Sequence, residues 1–184
     1  MKKAVFLDRD GVINRVFIRN GRPCSPDTLE EFEILPNVPE ALRLLHQAEF
    51  LLIIVTNQPD VGKGLVPQKV VESMHDQMRR SLILDDIEVC YSTDEDRSFR
   101  RKPQPGMLLD AAKKWTIDLS QSFMVGDRWR DIEAGQAAGC RTILIDYGYE
   151  ENHPVTPDYV VHSTLEAAQI ILKSADSDKL KKCS

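Results

Sequence analysis

Two carboxylates stand two residues apart where a short apolar run ends: Ala4-Val5-Phe6-Leu7 leads into Asp8-Arg9-Asp10-Gly11. A carboxylate can attack phosphorus and carry an acyl phosphate. A second carboxylate can serve in turn as general acid and general base. In an extended strand residues i and i+2 point the same way, so Asp8 and Asp10 can address one spot as the strand opens. Gly11 permits the sharp exit this requires. Taken alone, the pair reads equally well as an Asp-rich turn closing a strand. Three further groups recur at the same kind of position. Leu51-Leu52-Ile53-Ile54-Val55 ends in Thr56-Asn57-Gln58, Arg101-Lys102-Pro103 follows a strand-like stretch, and Phe123-Met124-Val125 ends in Gly126-Asp127-Arg128-Trp129-Arg130-Asp131. A hydroxyl with amides, a lysine and a second acid pair are the parts that phosphoryl transfer uses for positioning and charge stabilisation.

The elements that must hold these groups alternate along the chain. Strand-like pieces lie near 4–8, 51–55, 87–91, 122–125 and 142–146, with a weaker one at 158–161. Helical periodicity covers about 38–48, 67–84, 105–115, 129–138 and 164–173. Asn37 before Val38-Pro39 marks a helix start and Gly139 a helix stop. Alternation of this kind predicts an α/β fold with a doubly wound parallel sheet, whose strand ends share one ligand-binding edge. One domain over 1–173 is expected, with no large cap. A long polar segment at about 11–36 would form a flap over the site, and 174–184 would be a flexible tail.

Composition narrows the class. The 184 residues carry a net charge of −5, 42% hydrophobic and 29% charged residues, as in ordinary globular proteins. No basic footprint for nucleic acid exists, and no apolar run approaches the ~18 residues of a membrane span. Met1-Lys2-Lys3 is followed by too short an apolar stretch for a secretory signal, so a cytoplasmic monomer acting on a small molecule is expected. Cys24, Cys90, Cys140 and Cys183 are scattered without metal spacing and read as free thiols. His46, His75, His153 and His162 likewise read as surface or structural. Packing is the favoured reading for Trp115 and Trp129.

The ordered set DRDG, TNQ, RKP and GDRWRD resembles the four motifs of the haloacid dehalogenase superfamily of phosphotransferases. DRDGVIN, TNQ and RKPQPGM resemble, more narrowly, its heptose bisphosphate phosphatase and histidinol phosphatase branch, over residues 3 to 173. The resemblance implies a Rossmann-like core and a phosphomonoester hydrolase working through an aspartyl phosphate. Asp8 would be the nucleophile and Asp10 the acid and base. Thr56, Asn57 and Gln58 would grip the phosphoryl group, and Lys102 would neutralise charge shared with Asp8. Arg101 and Arg128 would contact substrate, with Arg128 standing where a lysine is usual. A Mg²⁺ ion would bind Asp8, Asp127 and the backbone carbonyl of Asp10, supported by Asp131 one helical turn beyond Asp127.

One departure bears on specificity. The branch carries a zinc loop with Cys-x-His and Cys-x-Cys just before RKP, whereas here Cys90 stands alone in the stretch to Arg100, with no histidine. No zinc is therefore expected. Heptose 1,7-bisphosphate, losing its 7-phosphate, is the first choice of substrate and histidinol phosphate or another small phosphate ester the alternative. Arg15, Arg19 and Arg22 in the flap segment could hold a second phosphate. A receiver-type phospho-switch uses similar residues on a similar sheet, but there the acid pair follows the first strand and the phospho-acceptor sits on the third.

Overall fold

In the computed structural model, which describes residues 1–19, 21–150 and 155–182, the apolar runs align as one sheet of six parallel strands. These are β1 (Lys3–Leu7), β4 (Phe50–Asn57), β5 (Asp86–Cys90), β6 (Phe123–Gly126), β7 (Arg141–Ile145) and β8 (Tyr159–Val161), in the order β5-β4-β1-β6-β7-β8. The chain leaves β1 toward one side and later crosses to the other, so the two strands flanking β1 diverge around its carboxyl end. That is where open α/β sheets bind ligands.

Strands covered on both faces read as continuous apolar runs rather than alternating ones. Val5, Leu7, Leu52, Ile54 and Val125 face one layer, packed with Leu42 and Leu45 of α1 (Val38–Gln47), Met74 and Met78 of α3 (Gln68–Ser81) and Ile171 of α6 (Thr164–Lys182). Ala4, Phe6, Ile53, Val55 and Met124 face the other, against Met107 and Ala111 of α4 (Gly106–Trp115) and Ala134 and Ala138 of α5 (Trp129–Ala138).

Three elements differ from expectation. The flap segment carries a hairpin, β2 (Phe17–Arg19) with β3 (Arg22–Cys24), whose three-residue strands are too short to show periodicity. Its base is tied by an antiparallel bridge between Asn14 and Ile34. A one-turn helix, α2 (Pro59–Gly62), follows β4. The last helix continues to Lys182, past the end expected near 173, so the stretch expected as a flexible tail is helical up to that residue. Residues 174–182 contain neither glycine nor proline to stop it. Among the described residues, no helix is long and apolar enough to cross a membrane.

Candidate active site

The ends of β1, β4 and β6 bring the three acidic and polar groups together, and the loop after β5 adds the lysine. They line a cavity of about 420 Å³ whose wall includes Asp8, Asp10, Asn57, Lys102, Asp127 and Asp131. Gly11 is at φ +80°, and a Cβ there would fall 2.2 Å from Asp127 Oδ2, so only glycine lets the β1 turn approach the β6 turn this closely. Gly126 makes the same allowance for Asp131, which would lie 2.1 Å from an added Cβ.

Lys102 is the electrostatic centre. Its Nζ stands 2.8 Å from Asp8 Oδ1 and 2.5 Å from Asp131 Oδ1, and its side chain is 2% exposed. Asn57 fixes it by a reciprocal pair: Asn57 Nδ2 donates to the Lys102 carbonyl at 2.9 Å and Lys102 N–H donates to Asn57 Oδ1 at 3.1 Å. Burial works against its charge, but Asp131 and Asp8 outweigh that and hold the ammonium form. Burial pushes the Asp8 carboxyl up; Lys102 pulls it back, Asp131 and Asp10 add to the rise, and it lies at about 7.

Asp10 sits in the opposite environment. Its carboxylate accepts from Arg9 Nη2 at 2.9 and 3.0 Å, from Asn14 Nδ2 at 2.9 Å, from Ser25 Oγ at 2.9 Å and from Gln58 Nε2 at 2.8 Å. Burial opposes ionisation, but Arg9 and the bonds from Asn14 and Gln58 overcome it, so Asp10 titrates below the usual carboxylate range. Arg9 is fully buried, against Met74 Sδ and 5.9 Å from the Phe32 ring. Its position between the two acids, pointing to the other side of β1, is the signal that could have placed it behind the site.

The structure gives several of the expected residues partners that the sequence did not show. Gln58 donates to Asp10 and to the Thr56 hydroxyl (2.9 Å) and does not line the cavity wall. Thr56 is wholly buried beneath that wall. The flap arginines turn away from the cavity: Arg15 pairs with Glu33 at 3.0 Å, and Arg19 with Asp27 and with Glu31 at 3.1 Å. The side chain of Arg22 lies outside the described residues. The flap instead contributes Val16, Pro23, Cys24 and Ser25 to the wall, while Arg101, Arg128, Arg130 and Lys63 supply its outer cations.

Asp127 does not cap α5. Arg128 occupies the cap position, and its backbone N–H donates to Asp131 Oδ2 at 3.1 Å. Among the described residues, Asp127 Oδ1 is buried with no hydrogen-bond partner. Burial, Asp8 and Asp131 together raise its pKa well above the carboxylate norm. One oxygen from each of Asp8, Asp127 and Asp131 lies within 4.8 Å of the others. An orphaned buried oxygen among three carboxylates fits a hard divalent cation. Asp131, expected only as support, belongs to this cluster together with Asp8 and Asp127.

Elsewhere, Cys90 and Cys140 are buried free thiols, Cys24 lines the cavity, and Cys183 lies outside the described residues. His75 is buried, His153 lies outside the described residues, and Trp115 donates to Asp86 at 2.7 Å, away from the cavity.

Comparison with known proteins agrees with this geometry. The Hydrolase_like family model (HAD-hydrolase-like) matches residues 99–167. The D-glycero-beta-D-manno-heptose-1,7-bisphosphate 7-phosphatase of Bordetella bronchiseptica is 35% identical over 154 residues, covering 79% of this chain and 82% of that protein. The enzyme of the same name from Escherichia coli K12 is 34% identical over 189 residues, covering 92% and 94%. The crystal structure of the B. bronchiseptica D,D-heptose 1,7-bisphosphate phosphatase, complexed with magnesium and phosphate, superposes with a TM-score of 0.80 at 29% identity over 94% of this chain and 99% of that one.

Proposed function

Because this chain belongs to the haloacid dehalogenase-like hydrolases and is a phosphoric monoester hydrolase among them, we propose that it removes the 7-phosphate of D-glycero-D-manno-heptose 1,7-bisphosphate. The observation that carries the reading is the division between two acids on one strand: Asp8 is open to the cavity and bound by Lys102, while Asp10 is held by four side-chain partners.

In the first step, Asp8 attacks phosphorus in line, the bond from phosphorus to the sugar oxygen breaks, and Asp10 gives that oxygen its proton. In the second, Asp10 takes a proton from water as it attacks the phosphorus of the Asp8 acyl phosphate, which releases phosphate and restores Asp8. The donors around Asp10 hold its proton affinity low, which favours its role as base, so the acid step draws on the small protonated fraction, while Lys102 balances the charge on Asp8 throughout. Asp8, Asp127, Asp131 and the Asp10 carbonyl would hold Mg²⁺, which when bound offsets the negative charge of the phosphoryl group and carboxylates. Substrate contact falls to Asn57, Arg101 and Arg128 on the cavity wall, with Thr56 and Gln58 supporting from beneath.

The loop after β5 is held by hydrogen bonds and an ion pair. Thr93 N–H donates to Asp96 at 2.6 Å, Arg100 binds Glu88 at 2.7 Å, and Gly106 N–H donates to the Phe99 carbonyl at 3.0 Å. Steady-state kinetics on heptose 1,7-bisphosphate, sugar monophosphates and histidinol phosphate test the assignment. A kcat/KM highest for the heptose bisphosphate is expected; a preference for histidinol phosphate would overturn it.

A further inference from the structure

The loop that follows β7 brings two tyrosines to the carboxylate cluster. Tyr147 Oη donates to the Gly11 carbonyl at 2.9 Å, which ties the loop to the β1 turn. Gly148 N–H donates to Asp146 Oδ1 at 2.7 Å and holds the turn between the two rings. The rings of Tyr147 and Tyr149 stack with their centres 5.6 Å apart. The centre of the Tyr149 ring lies 6.0 Å from the guanidinium of Arg128, the residue after Asp127. Burial, with the Asp127 carboxylate beside it, pushes the Tyr149 phenol above its ordinary range, so the hydroxyl stays a donor. Tyr149 Oη and Asp127 Oδ1 are both buried without a hydrogen-bond partner among the described residues. A buried donor and a buried acceptor left unpaired side by side are costly unless they serve a purpose. Tyr149 does not line the cavity and takes no part in the phosphoryl steps.

Resting on the reading of Asp8, Asp127 and Asp131 as a Mg²⁺ site, we propose that Tyr149 is a positioning residue. Its hydroxyl donates to the Asp127 carboxylate and fixes the orientation in which that carboxylate meets the cation. A carboxylate has about four lone-pair sites, so Asp127 can accept from a phenol and still bind a cation. Mg²⁺ demands near-ideal octahedral geometry, so a ligand that swivels freely binds it less well. The hydrogen bond is strongest to an ionised carboxylate, the form a cation selects. Tyr147 seats the loop on the β1 turn and so delivers Tyr149, without itself reaching a ligand.

The test uses the full chain as Tyr149→Phe and Tyr147→Phe and reads Tm without substrate, in EDTA and across a Mg²⁺ titration. Tyr149→Phe should raise the Mg²⁺ dissociation constant about tenfold or more, as loss of a ligand-orienting partner does. Its Tm in EDTA should stay within about 2 °C of the unmutated chain, because the hydroxyl has no partner to lose there. Tyr147→Phe should change the constant less than about threefold, the low end for one neutral hydrogen bond. On p-nitrophenyl phosphate, the Mg²⁺ concentration for half-maximal rate should rise with the dissociation constant in Tyr149→Phe, with kcat at saturating Mg²⁺ kept within about twofold. An unchanged dissociation constant in Tyr149→Phe would overturn the inference. So would an equal loss of Tm in EDTA and in Mg²⁺, which would make Tyr149 a packing residue, or an equal weakening in Tyr147→Phe, which would trace the effect to seating of the loop. Unmutated protein whose Tm does not respond to Mg²⁺ would instead overturn the cation site, and this inference with it.

Discussion

Gln58 Nε2 donates to Asp10 Oδ2 across 2.8 Å, joining the end of β4 to the end of β1. The amide fixes the direction of the acid and lies off the cavity wall. Replacing it with leucine removes one charge-assisted hydrogen bond and leaves the cavity lining unchanged. Gln58→Leu should lower kcat about tenfold, the equivalent of one such bond, with KM for an aryl phosphate changed less than about twofold. A loss confined to KM would place Gln58 in direct substrate contact after all.

Lys102 lies between Asp8 and Asp131 with 2% of its side chain exposed. Lys102→Met would leave the carboxylate cluster without its cation. Breaking a buried pair by removing one partner costs about 3–5 kcal/mol. Urea unfolding should show a loss of that order in EDTA and a smaller one in Mg²⁺, with phosphatase activity abolished in both. Equal losses with and without Mg²⁺ would separate the lysine from the cation site.

Asp127 Oδ1 has no partner among the described residues, and Asp8 and Asp131 lie beside it. Chelation should therefore stop turnover reversibly. Mg²⁺ at a hundred times its dissociation constant should stabilise the fold by about 2.7 kcal/mol. Thermal unfolding in EDTA and after Mg²⁺ addition measures this directly. An unchanged Tm would contradict the assignment, and Asp127→Asn should blunt the shift.

His75 gives a pH signature separate from catalysis. Burial, with Arg9 and Arg79 nearby, lowers its pKa from 6.5 to about 4. Between those values the unfolded chain binds the proton and the folded one does not. The contribution is therefore complete above about pH 6.5 and disappears as the pH falls toward 4. The difference amounts to at most about 3 kcal/mol. Denaturant unfolding from pH 7 to 4 should show a shallower acid loss for His75→Leu than for the native chain. Parallel curves would mean that His75 protonates freely in the fold.

The sheet and the inner site were legible because they rest on short-range patterns. Apolar runs such as Leu51–Val55 end in polar groups, and strand ends in a parallel sheet converge on one edge. Longer-range pairing was not legible. Arg15 and Arg19 looked available for substrate because partners are not visible along the chain, yet Glu33, Asp27 and Glu31 in the same segment claim them. Asn20-Gly21 in the sequence is a hairpin signal that the polar character of the segment obscured. The partners of Asp10 come from four places along the chain, Arg9, Asn14, Ser25 and Gln58, and only the fold assembles them.

The central claim is that Asp8 becomes phosphorylated and that Asp10 promotes its release. The most direct measurement is acid-quench peptide mass spectrometry on Asp10→Asn mixed with Mg²⁺ and p-nitrophenyl phosphate, whose leaving group departs without a proton from Asp10. General acid–base groups contribute about 10²–10⁴-fold, so hydrolysis of the intermediate should slow by that order and let it accumulate. A phosphoryl group on the peptide containing Asp8, absent from an Asp8→Asn control that has lost turnover, is the predicted result. Turnover by folded Asp8→Asn at near-native rates would contradict the account.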